Sequence, residues 1–390
     1  MTEPSARVLV FNVGSTTLKF ACIDAGSGGR LTDGTIDRIG QADGDAADHL
    51  TAARQVLARH EDLNITAIGH RVVQGGDRFT EPTRVDDRVR RDLAELDSLA
   101  PLHNPPARRV VDFIARERPD SVQVLVFDTA YYASLTPSAF RYAVPEAAYR
   151  DHGVRRYGMH GTSHGFVVRR AIDFLASAAR AGDPSDRSNC KIITLHLGGG
   201  ASATASIGGV AVDTSMGMTP LEGLVMATRC GDIDASVPLH LMRSAGMSPD
   251  EVDRLLNKQS GLLGLCGEAD MRRVLQKDES GDPEAALAID IYVRRLHKYI
   301  GAYFAILGGL DALVFTAGIG ENAALIRRRV VDPLAHLGVK IDGSRNELRH
   351  DGGSILDLSA SGASARTLVV PTDEEQAIVA QVARLITESA

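Results

Sequence analysis

One pattern occurs twice in this chain: an apolar run, a short glycine turn and a second extended run. It reads Val8-Leu9-Val10-Phe11-Asn12-Val13-Gly14-Ser15-Thr16-Thr17-Leu18-Lys19-Phe20 and returns as Ile192-Ile193-Thr194-Leu195-His196-Leu197-Gly198-Gly199-Gly200-Ala201-Ser202-Ala203-Thr204. Apolar residues running into a polar glycine turn mark a buried strand that opens a hairpin, and a duplicated hairpin asks for a domain around each copy. The 390 residues suffice for two domains of ordinary size. Backbone N–H groups left open at such a turn form a concave anion site, and two of them would clamp a polyphosphate from both sides. A single copy is equally well explained as an ordinary hairpin.

Apolar runs predict further buried strands at residues 67–73, 123–127, 312–315 and 367–370. Periodicity near 3.6 predicts helices at 52–59, 105–116, 166–178, 283–307 and 374–387. Residues 24–48, rich in Gly and Asp, read as a loop with one short strand. Strands alternating with helices give an α/β protein with mixed sheets. The second hairpin's need for its own domain places the boundary within 131–150.

Charge narrows the partners. Lys plus Arg total 43 against 50 Asp plus Glu, a net charge of −7, without a basic block, so nucleic acid and anionic membrane surfaces are poor partners. The apolar runs fall short of the ~18 residues a membrane helix needs. No export signal is visible at the amino terminus, and Cys22, Cys190, Cys230 and Cys266 stand singly, without metal-site spacing or a disulfide framework. A cytoplasmic location is expected.

Several polar residues stand where chemistry is expected. Asn12 and Lys19 flank the first turn, where an amide oxygen can meet a metal-bound water and an ammonium can reach phosphate; a solvated strand lysine is the plain alternative. Gly318-Ile319-Gly320-Glu321-Asn322 joins an apolar strand to a helix, which allows close approach of a nucleotide, although the glycine spacing is not the dinucleotide fingerprint. Arg71 lies in an apolar strand and needs an anionic partner, either an internal carboxylate or a bound anion. Arg229 is as ambiguous, with Asp232 and Asp234 close in sequence. Asp128 ends an apolar strand, where ligands gather in open α/β sheets. His160 and His164 are four apart, but Gly161 between them favours a turn over a helix, and without a third ligand zinc is a poor reading. His160 could instead donate to a phosphoryl oxygen. Glu374 opens the final helix as either a cap or a metal ligand.

Taken in order, these segments resemble the acetate kinases from about Arg7 to Leu385. The resemblance rests on GHRVVQGGDRF from Gly69, APLHNPP from Ala100, VFDTA from Val126, GVRRYGMHGTSH from Gly153, TPLEGLVMATRCGDID from Thr219, FTAGIGEN from Phe315 and PTDEE from Pro371. It implies two lobes of a duplicated ribonuclease H-like fold, the actin-like ATPase fold, with an interdomain ATP cleft. The first lobe would be residues 1–131 with 376–390, and the second 132–375, carrying the nucleotide segments and the interface of a homodimer.

The resemblance implies residue roles as well. Asn12 and Glu374 match the positions for Mg²⁺, with Mn²⁺ as a substitute, and Lys19 matches one at the ATP phosphates. His196, Leu197, Gly198, Gly199 and Gly200, with Asp270, Met271 and Arg272 and with Gly318, Ile319, Gly320, Glu321 and Asn322, match the ATP-binding segments. Arg71 matches the substrate-carboxylate arginine, Asp128 the catalytic aspartate, and His160 and Arg229 the stabilisers of the phosphoryl group in transfer. Val73, Leu102, Met159 and Pro220 match the pocket for the acetate methyl. Gly199 stands where the family usually has Asn, Met159 where it has Phe, Ala227 where it has Gly and Asp373 where it has Asn, and Tyr132 follows Tyr131 where His is common. The activity implied is reversible, Mg²⁺-dependent transfer of the ATP γ-phosphate to acetate, giving acetyl phosphate and ADP. The alternatives are a propionate or butyrate kinase, and a non-catalytic actin-like scaffold.

Overall fold

The computed structural model describes residues 6–101, 103–178, 187–349 and 353–388. Its strands form two six-stranded mixed sheets of the same topology. The first runs β3-β2-β1-β4-β6-β5, where β1 is Arg7–Val13, β2 Leu18–Asp24, β3 Arg30–Ile36, β4 Ala67–Val72, β5 Thr83–Arg84 and β6 Val122–Phe127. The second runs β9-β8-β7-β10-β12-β11, where β7 is Lys191–Leu197, β8 Ala201–Ile207, β9 Val210–Thr214, β10 Ala312–Thr316, β11 Leu356–Asp357 and β12 Arg366–Val369. In each, an antiparallel meander joins two parallel strands and closes on a two-residue antiparallel edge strand. The two expected hairpins are β1–β2 and β7–β8, and the α/β architecture is duplicated around them.

The chain divides into two compact units, one of residues 1–133, 159–163 and 373–390, the other of 134–158 and 164–372. In the first, β1 buries both faces. Leu9, Phe11 and Val13 meet residues of the helices His49–Arg59 and Asn104–Glu117, among them Val56, Val110 and Ile114. Val8 and Val10 meet Ile378, Val379 and Val382 of the final helix, Glu374–Glu388. A strand covered on both faces reads as a continuous apolar run, which is why the sequence shows no alternation there. The final helix lies close to β4 because Gly69 has no side chain: a Cβ there would be 2.7 Å from Ile378 Cγ2.

In the second unit, the helix Pro283–Leu307 turns Ile289, Tyr292, Leu296 and Ile300 inward. Asp282 caps its start through the N–H groups of Glu284 and Ala285, and Gly308, at φ +64°, ends it. The helix Gly161–Ala178 starts earlier than periodicity suggests. Gly161 reads as a breaker, but it is the first residue of the helix rather than an interior one. His164 therefore sits inside a helix, fully buried, with Nδ1 2.6 Å from Thr194 Oγ1 and Nε2 2.8 Å from Ser202 Oγ. Both ring nitrogens are engaged in the core, and burial holds the imidazole well below its ordinary pKa.

His70 in β4 is a second buried histidine. Its Nε2 lies 2.8 Å from Gln123 Oε1, its Nδ1 is buried without a partner, and burial pushes its pKa down to about 4. The unfolded chain takes up a proton at His70 below the ordinary value of 6.5, whereas the folded chain does so only below about 4. This contribution to stability is complete above pH ~6.5 and is lost as pH falls toward 4, by roughly 3 kcal/mol. Urea unfolding between pH 7 and 4.5 should show a shallower fall for His70→Phe than for the wild type. Equal slopes would remove His70 from the acid response.

Candidate functional site

The parallel strands of the first sheet bring sequence-distant residues to one edge. β1, β4 and β6 run the same way, with Asn12 beside Arg71 and Val72 beside Phe127 in register, so Asn12, Arg71 and Asp128 all stand at carboxyl ends. The Arg71 guanidinium grips Asp128 with both ends of the carboxylate, Nη2 to Oδ2 at 2.6 Å and Nε to Oδ1 at 3.2 Å. Its Nη1 donates to Asn12 Oδ1 at 3.0 Å, and Glu374 Oε2 lies 3.8 Å from Nε. Burial opposes the charge on Arg71, but the carboxylates of Asp128 and Glu374 outweigh it and raise the pKa above the ordinary arginine value. The internal carboxylate expected as one alternative is therefore Asp128. Three of the five guanidinium N–H donors are used, and two have no acceptor among the described residues.

The start of the final helix completes this cluster. Asn12 Nδ2 donates to Glu374 Oε2 at 2.9 Å and to Glu375 Oε1 at 3.0 Å. The cap of the helix is Asp373, whose Oδ1 accepts from Gln376 N at 2.8 Å, so Glu374 is not the capping residue. Thr162 Oγ1 donates to Asp128 Oδ1 at 2.8 Å. Thr162 and Glu375 lie inside motifs quoted above, yet their roles depend on which way the turns aim them. His160, just before Gly161, has φ +59°, a left-handed backbone that costs a residue with a side chain about 1–2 kcal/mol. It is held by neighbours on both sides: Tyr132 Oη donates to Met159 O at 2.8 Å, and Gly161 packs on the Asp128 carbonyl. Met159 and Val73 are buried. Leu102 lies outside the described residues.

At the first hairpin turn, Gly14 N donates to Thr17 O at 2.8 Å, while the N–H groups of Ser15, Thr16 and Thr17 find no acceptor within the described chain. Lys19 is exposed on β2, directly across from Asn12.

In the second unit a pocket of about 840 Å³ gathers the three segments expected to hold nucleotide. Gly198 and Gly199, Asp270 to Arg272, and Gly318, Ile319, Glu321 and Asn322 all line it. One oxygen of Glu321, Oε1, accepts from Ala317 N at 2.8 Å, Thr372 N at 3.2 Å and Thr316 Oγ1 at 3.4 Å. Arg327 and Asn346 are also in the wall. Arg327, only 2% exposed, donates to Gly320 O at 3.0 Å, to Glu321 O at 2.8 Å and to Asn346 Oδ1 at 2.8 Å, and burial lowers its pKa to about 10. No motif in the sequence marks this arginine, because its partners are carbonyls of the short helix Ala317–Asn322 and a side chain nineteen positions on. His196 is the last residue but one of β7, and its ring lies 6.1 Å from that of His164.

Arg229, also in the second unit, has neither of the carboxylate partners its sequence suggested. Its Nη1 donates to Pro220 O at 2.8 Å and touches Met226 Sδ at 3.5 Å, whereas Asp232 is engaged by Tyr299 and Arg295. Burial lowers its pKa, and among the described residues it has no ion pair. A partly buried guanidinium without a carboxylate can bind an anion.

Comparison with known proteins finds relatives along nearly the whole chain. The Acetokinase family model matches residues 45–380. An acetate kinase of Streptomyces coelicolor is 46% identical, covering 99% of this chain and 98% of its own length. One of Pseudarthrobacter chlorophenolicus is 48% identical over 95% and 96%. Among solved structures, an acetate kinase of Porphyromonas gingivalis is 36% identical with TM-score 0.87, covering 98% of this chain and all of that one. A propionate kinase of Francisella tularensis is 36% identical with TM-score 0.88, over 96% and 98%. By the family model and by identity along nearly its whole length, the chain belongs to the acetokinase family.

Proposed function

We propose that the chain transfers the γ-phosphoryl group of ATP to the carboxylate of acetate, reversibly and by direct in-line displacement, giving acetyl phosphate and ADP. The observation that carries this reading is Arg229, a partly buried guanidinium that no carboxylate among the described residues answers. Acetate is already ionised at neutral pH, so its oxygen needs no base. The obstacle is repulsion: two unit charges ~4 Å apart cost about 4 kcal/mol at an effective dielectric of 20. Arg71 meets the acetate carboxylate with its two remaining N–H groups. Arg229 and His160 take up charge on the transferring phosphoryl, Lys19 and the open N–H groups of the first turn hold phosphate, and the second-unit pocket takes the nucleoside. Asp128, locked to Arg71 and Thr162, positions the guanidinium rather than accepting a proton.

Mg²⁺ fits the oxygen donors at the start of the final helix. Glu374 and Glu375 share one amide donor, a hard-oxygen pair suited to a cation that keeps most of its waters. Glu374 would hold the ion, with Asn12 orienting it. The ion would neutralise phosphate oxygens. A homodimer is supported by the helix Ser236–Ser244, which has no buried residue and, with Ile233, exposes Val237 and Leu239. Four free cysteines support the cytoplasm. No helix among the described residues is long and apolar enough to cross a membrane.

Trapping of acyl phosphate as hydroxamate, from ATP with acetate, propionate or butyrate and with or without Mg²⁺, tests the reading. Acetate should give product only with the metal, and ATP bound without any acyl product would instead indicate a scaffold. Met159 is 1% exposed, and its flexible thioether replaces the family's usual ring. Met159→Phe should reduce kcat/KM for propionate more than for acetate, by about 10- to 200-fold in the ratio if one methylene is at stake. An unchanged ratio would take Met159 out of the acyl pocket.

A further inference from the structure

His49 opens the helix that follows the first hairpin, and its Nε2 lies 2.9 Å from the carbonyl oxygen of Gly14. A carbonyl offers no proton, so the imidazole must donate, and Nε2 carries the hydrogen. Burial holds His49 below its ordinary pKa, with the neighbouring Arg109 adding to the effect. None of the residues used above accounts for this contact.

No peptide bond in the described chain is cis. In a trans peptide the C=O and the following N–H point in opposite directions. Fixing the Gly14 carbonyl on His49 therefore turns the Ser15 N–H away from His49, and that N–H has no acceptor in the described chain. Glycine is the residue at which a peptide plane reverses most readily, since either sign of φ is open to it. A Cβ at Gly14 would lie 2.5 Å from Thr17 Oγ1, so a larger residue there would have to turn the Thr17 side chain aside. Reversal would put a carbonyl oxygen where the donor stands and turn an anion site into a repulsive one.

We propose that His49 is a positioning residue for phosphate: by holding the Gly14 carbonyl, it keeps the Ser15 N–H aimed at the nucleotide's phosphate chain. The proposal rests on the phosphate role of this turn given above. His49 touches no substrate and acts through one peptide plane.

Calorimetric titration of the full chain with Mg·ATP and with AMP, alongside steady-state kinetics, tests it. His49→Leu should weaken Mg·ATP binding by about 3- to 10-fold, the scale of one net hydrogen bond, while AMP affinity and the KM for acetate stay unchanged. His49→Gln, which can still donate to Gly14 O, should recover most of the loss. His49→Phe, a ring without the donor, substitutes if the leucine variant does not fold, and it should behave as that variant would. Lys19→Ala is the reference for phosphate binding at the turn. If Lys19→Ala weakens ATP binding and His49→Leu does not, the positioning role is wrong. Equal losses for ATP and AMP with a lowered melting temperature would make His49 merely structural and overturn it as well. If Lys19→Ala also leaves ATP binding unchanged, the phosphate reading of the turn fails first, and the proposal falls with it.

Discussion

Arg71→Ala is expected to lower kcat/KM for acetate by about 10²- to 10³-fold, the scale of losing one preorganised donor to a reacting oxyanion. It should also destabilise the fold. Asp128 is fully buried, and without the guanidinium it keeps, among the described residues, only Thr162 as a side-chain donor. Stranding a buried charge costs about 3–5 kcal/mol. The two effects can be separated by pairing Arg71→Ala with Asp128→Asn, which removes the stranded charge. The double variant should melt near the wild type and remain inactive. Recovery of turnover along with stability would mean that Arg71 is an internal ion pair and nothing more, the alternative its apolar strand left open. Arg71→Lys adds a finer test: an ammonium keeps the charge but cannot grip Asp128 with two donors and still offer two more.

Much of this arrangement was legible because it follows from strand ends. Asn12, Arg71 and Asp128 each close an apolar run, and parallel pairing of those runs brings them together in register. Two of the three segments lining the second-unit pocket, at Gly198 and at Gly318, were legible for a related reason, each being a glycine turn after an apolar strand, whereas Asp270 to Arg272 came only with the family resemblance. What the sequence hid depends on how a turn aims its groups. Thr162 and Glu375 sit beside recognised residues, but only the bend at Gly161 and the first turn of the final helix point them at Asp128 and Asn12. Of the two readings left open for Arg229, an aspartate partner does not hold, because proximity in sequence is not proximity in a loop: Asp232 accepts from Gly223 N at 2.8 Å and meets Tyr299 instead. The short edge strands Thr83–Arg84 and Leu356–Asp357 carry too few residues for any periodicity. The return of residues 159–163 to the first unit is marked by no change in composition.

That return explains the second large effect. Gly161→Ala should reduce kcat by about 10²-fold, the cost of displacing a catalytic group by roughly 1 Å. A Cβ at Gly161 would lie 1.9 Å from the Asp128 carbonyl oxygen and 2.7 Å from Tyr131 Cβ. Neither obstacle is the far end of a flexible side chain, so one backbone segment must move. Movement pulls Thr162 from Asp128 and shifts His160, whose left-handed φ depends on its neighbours. Helix propensity alone gives the opposite sign, since alanine for glycine within a helix gains about 1 kcal/mol. Gly301 supplies the control: it lies in the helix Pro283–Leu307, and a Cβ there meets nothing within 4 Å. Gly301→Ala should raise the melting temperature and leave turnover unchanged, while Gly161→Ala lowers both. If the two variants melt alike and both turn over normally, the contact between Gly161 and Asp128 is not what holds His160 and Thr162 in place.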